Sequence, residues 1–424
     1  MPPWGPASWP WPSWVWGFTA FCTCSSASYV PGPVKVNQRG AKMRFFKSIL
    51  GTLILCLLFP LGAEAQPEIG APAALLMERT TGQVLWSKNP HQLWPPASTT
   101  KILTALVALE KGKLDDVITV GPNPPQLEGT MVYLKEGERA TLEDLLYALM
   151  LNSANDAALA IAEHYGGTEE GFVGLMNEKA RSLGALSSTF VNPHGLPHPG
   201  HLVTAHDLAL ITRAALENPT FRMLVRTRTR IWQREEGLTE LVNLNRLLWD
   251  YPGAQGVKTG YTSASGYNLV AYAQRGDQEY IAVVLGEPSA RAAQREAARL
   301  LDYGFDNFQV CTLVRRGERV GSCRWQGETV DLVAAGDLTL VLPREAPLPT
   351  ARLKLHPFRP PLPAGRPIGE LIYMQGDEVL GRVEVVNAQP LLFPDLLLWM
   401  GGLLGIGAFI LYLRSWTKCF RRSA

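Results

Sequence analysis

Residues 95–110 of the chain read Pro-Pro-Ala-Ser-Thr-Thr-Lys-Ile-Leu-Thr-Ala-Leu-Val-Ala-Leu-Glu. The two prolines prevent a helix from starting any earlier, and apolar residues then recur at helical spacing from Ile102 to Val107. The pattern predicts a buried helix whose first turn carries Ser98, with Lys101 one turn later on the same face.

The pair Ser98 and Lys101 can be interpreted in two ways. The positive end of the helix dipole favours a negative charge developing on Ser98. A lysine buried among apolar side chains has a lowered pKa, so Lys101 could accept the hydroxyl proton. Taken alone, however, the segment fits better with an ordinary N-cap serine followed by a solvated lysine.

Composition limits the class of protein. With 424 residues the chain has room for two domains and targeting segments. Its net charge of +2 gives no reason to expect nucleic acid as a partner, and its 46% hydrophobic residues suffice for a sizeable core. The six cysteines are scattered and show no zinc-binding spacing.

The N-terminal region resembles a targeting segment behind an extension. Residues 1–42 crowd tryptophans among prolines and serines without periodicity, and we predict a disordered upstream extension there. Residues 43–65 combine a basic start, an apolar run from Ile49 to Leu61 and an Ala-Glu-Ala motif, which is the pattern of a secretory signal peptide. We therefore predict that translation starts at Met43; an uncleaved signal anchor is the alternative.

Residues 66–306 are predicted to form an α/β catalytic domain. Strand-like runs lie at both ends of this region and helical patterns lie between and after them, so the sheet would join its N- and C-terminal segments. The predicted strands are Ala73–Met77, Gln83–Ser87, Tyr267–Ala273 and Tyr280–Leu285, and the predicted helices include Leu142–Met150 with Thr141 as N-cap, Ala154–Gly166, a helix capped by Thr204 that ends at Ala215, and Ala292–Leu301.

Residues 307–390 differ from the preceding region in their sequence pattern. Short apolar runs alternate there with glycine and proline, which predicts a small all-β domain. Cys311 and Cys323 lie equally far from Gly317, so they could form a disulfide across a hairpin turned at that glycine. Two small apolar side chains are the other interpretation, and the sequence leaves both open.

Residues 391–424 have the pattern of a membrane anchor. Leu396 to Leu413 carries no charge and matches the roughly 20 residues that cross a hydrocarbon core. Four basic residues follow and predict a cytoplasmic tail. No polar face interrupts the run, which disfavours an interfacial helix. We therefore predict a single-pass protein of the cell membrane with an extracytoplasmic catalytic domain.

Three short motifs occur in a characteristic order. Ser98-Thr-Thr-Lys101, Ser153-Ala-Asn155 and Lys258-Thr259-Gly260 reproduce the Ser-x-x-Lys, Ser-x-Asn and Lys-Thr-Gly triplet of penicillin-binding proteins and serine β-lactamases. Each motif is weak evidence by itself. Together, on predicted helix, loop and strand positions behind a signal peptide, they are strong evidence for an acyl-serine enzyme.

Longer matches extend this resemblance from about Glu68 to Phe305. The chain resembles the low-molecular-mass D-alanyl-D-alanine carboxypeptidases of peptidase family S11, in particular the DacF-like penicillin-binding proteins. The resemblance implies a serine β-lactamase/transpeptidase-like fold, an antiparallel sheet with helices on both faces. It is carried by the motif stretches Ser153–Ala158, Asn192–Leu196, Asn243–Leu248, Gly256–Thr262, Ala264–Val270 and Leu300–Phe305.

The same resemblance implies a role for each motif residue. Ser98 would attack the carbonyl of the penultimate D-alanine of a peptidoglycan stem peptide, Lys101 would take its proton, and Ser153 would relay that proton towards the leaving nitrogen. No metal or other cofactor is implied, and β-lactams would be trapped on Ser98. The sequence does not indicate an oligomeric state.

The remaining motif residues would hold the substrate. Asn155 would bond its backbone amide, Lys258 would supply positive charge, and Thr259 of the Lys-Thr-Gly260 motif would bind its terminal carboxylate. The backbone N–H groups of Ser98 and Tyr261 would form the oxyanion hole.

One position departs from the family pattern. The family often carries a carboxylate-binding arginine in the helix that precedes the Leu300–Phe305 stretch. Ala293 stands at that position, flanked by Arg291 and Arg295. Which arginine binds the carboxylate, if any, stays open.

Three alternatives are disfavoured by particular residues. Between Ser153 and Lys258 there is no Glu-x-x-x-Asn loop of the kind with which class A β-lactamases deacylate. A zinc site on His194, His198 and His201, with His206 nearby, would need a helix that Pro197, Pro199 and Gly200 interrupt. A catalytically inactive penicillin-binding protein is disfavoured because all three motifs are intact.

Overall fold

The computed structural model describes residues 66–235, 237–325, 328–358, 361–391 and 404–411. The predicted upstream extension and signal peptide lie outside these residues. So does most of the span predicted from Leu396 to Leu413, of which residues 404–411 are helical. Among the described residues, no helix has both the length and the apolar character needed to cross a bilayer.

Between residues 66 and 391 the described chain forms sixteen strands and eight α-helices. The strands are β1 (Ala73–Glu78), β2 (Val84–Lys88), β3 (Val117–Thr119), β4 (Arg139–Thr141), β5 (Thr229–Arg234), β6 (Gly237–Val242), β7 (Ala254–Thr262), β8 (Gly266–Arg275), β9 (Gln278–Glu287), β10 (Phe308–Val314), β11 (Arg319–Trp325), β12 (Glu328–Ala334), β13 (Leu338–Pro343), β14 (Thr350–Leu355), β15 (Pro367–Gln375) and β16 (Glu378–Asn387). The helices are α1 (Lys101–Lys111), α2 (Leu142–Met150), α3 (Asn155–Gly166), α4 (Glu169–Ser182), α5 (Ala205–Ala215), α6 (Pro219–Arg226), α7 (Leu247–Asp250) and α8 (Ala290–Asn307).

The central sheet joins the two ends of the catalytic region, as predicted. Its five strands run in the order β2-β1-β9-β8-β7, and every neighbouring pair is antiparallel. The predicted hairpin is confirmed as β8 and β9. The Lys258-Thr259-Gly260 motif lies within the edge strand β7, where it pairs with β8.

Helices cover both faces of this sheet. All six residues of β1 are buried, and successive side chains of a strand point to opposite faces. Leu75 and Met77 pack into the core that contains α1, whereas Ala74 and Leu76 pack into a second core under α8. This confirms the predicted antiparallel sheet with helices on both faces.

Side-chain caps place the starts of the predicted helices. Thr141 Oγ1 accepts a hydrogen bond from the backbone N of Asp144 at 3.2 Å, and Thr204 Oγ1 accepts one from Asp207 at 3.0 Å. Such a cap stabilises a helix by about 1 kcal/mol. The C-terminal helix of the region is longer than predicted and continues past Leu301 to Asn307.

The segment after α8 is all-β, as predicted. β10 pairs with β13, and a five-stranded sheet runs in the order β11-β12-β16-β15-β14 around its own apolar core. The hairpin around Gly317 that the disulfide interpretation requires does not form, because β10 and β11 belong to different sheets. Cys311 lies opposite Leu340, Cys323 lies opposite Val330, and both thiols are free.

Candidate active site

Ser98 lies in a 3₁₀ turn, Ala97–Thr100, that leads directly into α1. It is therefore one tight turn ahead of the α-helix that the sequence predicted to contain it. The hydroxyl of Thr99 donates to Pro96 O at 2.7 Å and that of Thr100 donates to Ala97 O at 2.8 Å. These bonds close the turn, while the side chain of Ser98 lines a cleft.

The sheet holds this turn through Asn268 on β8. The Asn268 amide nitrogen donates to Pro95 O at 2.9 Å and to Pro96 O at 3.0 Å, and its oxygen accepts from Gly286 N at 2.9 Å. The residue is 2% exposed, so these contacts replace those it would make with water. Sequence reasoning did not single out Asn268, although it lies within the matched stretch Ala264–Val270.

Lys101 is fully buried and faces three oxygen atoms. Its Nζ lies 2.9 Å from Ser98 Oγ, 2.7 Å from Asn155 Oδ1 and 2.5 Å from the backbone oxygen of His194. Burial holds the pKa of Lys101 well below its usual range, the charge of Lys258 lowers it further, and Asp156 opposes the shift. A neutral amine has two hydrogens and one lone pair. The hydrogens satisfy Asn155 and His194, so the lone pair is left to accept the Ser98 proton.

Asn155 holds the base from the first turn of α3. Its oxygen accepts from Lys101, and its nitrogen donates to Glu128 O at 2.7 Å. Both ends of this amide are engaged and the residue is 4% exposed. The predicted contact of Asn155 with the substrate amide stays a prediction, whereas its contact with Lys101 is present in the structure.

The matched stretch Asn192–Leu196 presents its backbone to Lys101. Asn192 Oδ1 accepts from Gly195 N at 2.7 Å, and its nitrogen donates to Leu196 O at 3.0 Å. The His194 ring accepts from Leu196 N at 3.2 Å and its Nε2 lies 3.3 Å from Glu169. These contacts fix the carbonyl of His194 against the Lys101 amine.

Two further histidines of the zinc hypothesis have other partners. His201 Nε2 lies 3.1 Å from Thr100 Oγ1, and burial lowers the pKa of His201 to about 3. His198 Nδ1 accepts from Gly200 N at 3.1 Å.

Lys258 is buried behind the cleft, whereas Ser153 lines it. Lys258 is buried in β7, its Nζ donates to Thr259 O at 3.2 Å, and burial lowers its pKa to about 7. Ser153 has a φ of 63°, in the left-handed region that a non-glycine residue adopts at a cost of roughly 1–3 kcal/mol. Its side chain lines the cleft at the N-terminal end of α3.

The cleft has a volume of about 270 Å³. Five of the eight predicted site residues line it, and the other three, Lys101, Asn155 and Lys258, are buried behind it. The lining comprises Ser98, Thr130, Ser153, Leu244, Thr259, Gly260, Tyr261, Tyr267, Asn268, Leu269, Ala290, Ala293 and Gln294.

Gly260 allows β7 to approach the nucleophile closely. A Cβ at this position would lie 3.0 Å from Pro96 O and 3.0 Å from the backbone nitrogens of Ser98 and Thr99. Tyr261 follows, 55% exposed, with its ring stacked on Tyr267 at a centroid distance of 4.3 Å. The two segments predicted to supply the oxyanion hole therefore lie side by side.

The structure also shows where the three residues of α8 lie whose part in carboxylate binding the sequence left open. Ala293 lines the cleft, whereas Arg291 and Arg295 are exposed and do not. The Arg295 guanidinium instead lies 3.2 Å from Glu296. No charged side chain of the described chain lines the cleft.

The two lysines predict a bell-shaped dependence of kcat/KM on pH. Protonation of Lys101 removes the base on the acid side, and loss of the Lys258 proton above about pH 7 removes positive charge beside the substrate. In Lys258→Arg the guanidinium stays protonated, so the alkaline limb should move to higher pH. Profiles normalised to each enzyme's maximum measure this shift. If the alkaline limb did not move, a group other than Lys258 would be responsible for that limb.

Gly195 predicts a second measurable effect. Its φ is +90°, and a Cβ would lie 2.0 Å from Ala97 O and 2.9 Å from Ser98 N. Gly195→Ala should lose about 1–2 kcal/mol of stability from the backbone conformation and a further 1–3 kcal/mol or so from the clash, and it should slow acylation by displacing the nucleophile turn. Urea unfolding and penicillin acylation rates measure the two effects.

Gly137→Ala is the matched control for that variant. Gly137 also has a positive φ, +78°, but a Cβ there would meet nothing within 4 Å. Gly137→Ala should lose only the part of the stability that comes from the backbone conformation, and it should be acylated at the wild-type rate. Equal acylation by both variants would contradict the proposed contact between Gly195 and the nucleophile turn.

The chain is similar in sequence and in fold to known proteins. The peptidase S11 family model, described as D-alanyl-D-alanine carboxypeptidase, matches residues 62–289. The D-alanyl-D-alanine carboxypeptidase DacD of Escherichia coli is 36% identical over 342 residues, which cover 76% of this chain and 87% of the relative. DacF of Bacillus subtilis is 31% identical over 327 residues, 74% and 84% of the two chains. The crystal structure of penicillin-binding protein 5 from Haemophilus influenzae superposes with a TM-score of 0.69 at 28% identity, covering 78% of this chain and 99% of that one.

Proposed function

The chain belongs to the peptidase S11 family of D-alanyl-D-alanine carboxypeptidases, and we propose that it removes the terminal D-alanine from peptidoglycan pentapeptide stems through an acyl-enzyme on Ser98. The observation that carries this proposal is the position of Lys101. Its buried amine lies 2.9 Å from Ser98 Oγ, with two further oxygens engaging the rest of its hydrogens.

Acylation follows from this arrangement. Lys101 accepts the Ser98 proton as Oγ attacks the carbonyl of the penultimate D-alanine. The backbone N–H groups of Ser98 and Tyr261 stabilise the resulting oxyanion. Ser153 passes the proton to the leaving nitrogen, and free D-alanine departs.

Deacylation completes the reaction. Water attacks the ester on Ser98, the Ser98 Oγ leaves and takes back a proton, and the shortened stem peptide is released. A β-lactam reacts with the same serine, but its ring-opened leaving group stays attached to the acyl group. This accounts for penicillin binding by an enzyme of this kind.

The reaction is tested on the purified enzyme with a pentapeptide ending in D-Ala-D-Ala and, separately, with a penicillin. We expect stoichiometric release of D-alanine and slow turnover of the penicillin. Fast penicillin hydrolysis without D-alanine release would identify a serine β-lactamase instead. Penicillin labelling without either reaction would identify a catalytically inactive binding protein.

The proposed location rests on the ends of the sequence. We propose that residues 43–65 direct export and that residues 391–424 anchor the enzyme, with the catalytic domain outside the cell membrane. Mass spectrometry of the mature protein should find an N-terminus near Gln66. Protease added to intact protoplasts should remove the catalytic domain; protection of that domain would contradict the proposal.

A further inference from the structure

The wall of the cleft beside Thr259 is formed by the start of α8. Ala290, Ala293 and Gln294 line the cleft from this helix. Thr259 lies opposite Leu269 on β8, and Leu269 packs in the same apolar core as Ala293. The first turns of α8 therefore lie over the face of β7 and β8 from which Thr259 projects.

This wall has an unusual chemical composition for a site that receives a carboxylate. None of the cleft-lining side chains is charged, and Lys258 is buried behind the lining. The Thr259 hydroxyl and the half-buried Gln294 amide make no side-chain hydrogen bond to the described part of the chain, so both are available to a ligand. The rest of the wall, Ala290, Ala293 and Leu269, is apolar.

We infer that Gln294 is a specificity-determining residue whose side-chain amide donates a hydrogen bond to the terminal carboxylate of the substrate, beside the hydroxyl of Thr259. The inference rests on the proposed carboxypeptidase function. Neutral donors and the positive end of the α8 dipole hold the anion in place of a guanidinium. The methyl group of the leaving D-alanine then packs against Ala290, Ala293 and Leu269.

A neutral site can be distinguished from a cationic one by substrate charge and by salt. The test compares kcat/KM, or Ki where turnover is absent, for a peptide ending in D-Ala-D-Ala and for the same peptide with a C-terminal carboxamide. Gln294→Glu should lower the preference for the carboxylate by about tenfold or more at low salt, because like charges then face each other. Gln294→Lys should raise it. With all enzymes measured at the same pH, so that Lys258 contributes equally, the preference of the two charged variants should change more steeply with ionic strength than that of the wild type.

Arg291→Glu is the matched control. Arg291 is exposed on the same helix and does not line the cleft, so this larger change of charge should alter the preference less than twofold. Gln294→Met keeps the length and removes the donor. It should weaken the preference for the carboxylate about tenfold, the usual effect of losing one hydrogen bond to a charged group. If either charged variant does not fold, Gln294→Met takes its place in the test.

Opposite shifts for Gln294→Glu and Gln294→Lys support the inference. Equal shifts, no shift, or a shift in Arg291→Glu as large as that in Gln294→Glu would overturn it. D-alanine release by the wild-type enzyme is measured in the same series. If the proposed function is wrong, the wild-type enzyme will release no D-alanine, and this result does not depend on the Gln294 variants.

Discussion

Replacing Ser98 with alanine is expected to abolish acyl-enzyme formation and to lower kcat by roughly 10⁶-fold, as does loss of the nucleophile in other serine hydrolases. Lys101 would still be in place, but no oxygen would remain 2.9 Å from its amine to attack the carbonyl. The fold should survive, because the only side-chain hydrogen bond of Ser98 within the described chain is this one, and the turn is closed by Thr99 and Thr100 instead.

Fluorescent penicillin labelling and D-alanine release measure the effect of Ser98→Ala. Ser87→Ala is the control, because it makes the same change at an exposed position of β2 and should leave both signals at the wild-type level. Melting temperatures should agree among the three proteins. Persistent covalent label on Ser98→Ala would mean that another residue is the nucleophile.

Local patterns in the sequence were sufficient to locate the elements whose signals lie within their own residues. Apolar spacing and the hydroxyl of Thr141 located α2, and alternation located β8 and β9, because those signals lie within a few residues of the element they define. The pairing of β10 with β13 could not be predicted in this way. A strand's alternation does not say which other strand it will join. The sequence therefore left open a hairpin between the two cysteines that does not form.

The same contrast holds within the active site. The three motifs identified which residues carry the chemistry. The sequence did not predict that the His194 carbonyl contacts Lys101, because any residue has a backbone oxygen. It did not predict the hydrogen bond from the Asn268 amide to Pro96 either, because the two residues are 172 positions apart and no local pattern connects them. The 3₁₀ turn at Ser98 was also missed, since it depends on hydroxyls that bond backwards to Pro96 and Ala97 rather than on apolar spacing.

Replacing Lys101 with methionine should lower the rate of acylation by at least the 10²–10⁴-fold that general-base catalysis typically contributes. Methionine has a similar length, so the cavity stays filled. The change also leaves Asn155 Oδ1 and the His194 carbonyl without a donor, at about 1–3 kcal/mol for each buried acceptor. Part of that loss is offset, because an amine no longer has to be buried. We therefore expect a large loss of rate with a modest loss of stability.

Stopped-flow acylation by a penicillin, together with urea unfolding, separates these two effects of Lys101→Met. Lys179→Met is the control: it removes a lysine that is ion-paired to Glu110 on the outer side of α1, so it should cost stability only slightly and leave acylation unchanged. The acid limb of the pH profile gives the decisive comparison. If Lys101 is the base, Lys101→Met must lose that limb as well as the rate. A slow variant that kept the acid limb would show that another group takes the Ser98 proton, with Lys101 only holding Asn155 and His194 in position.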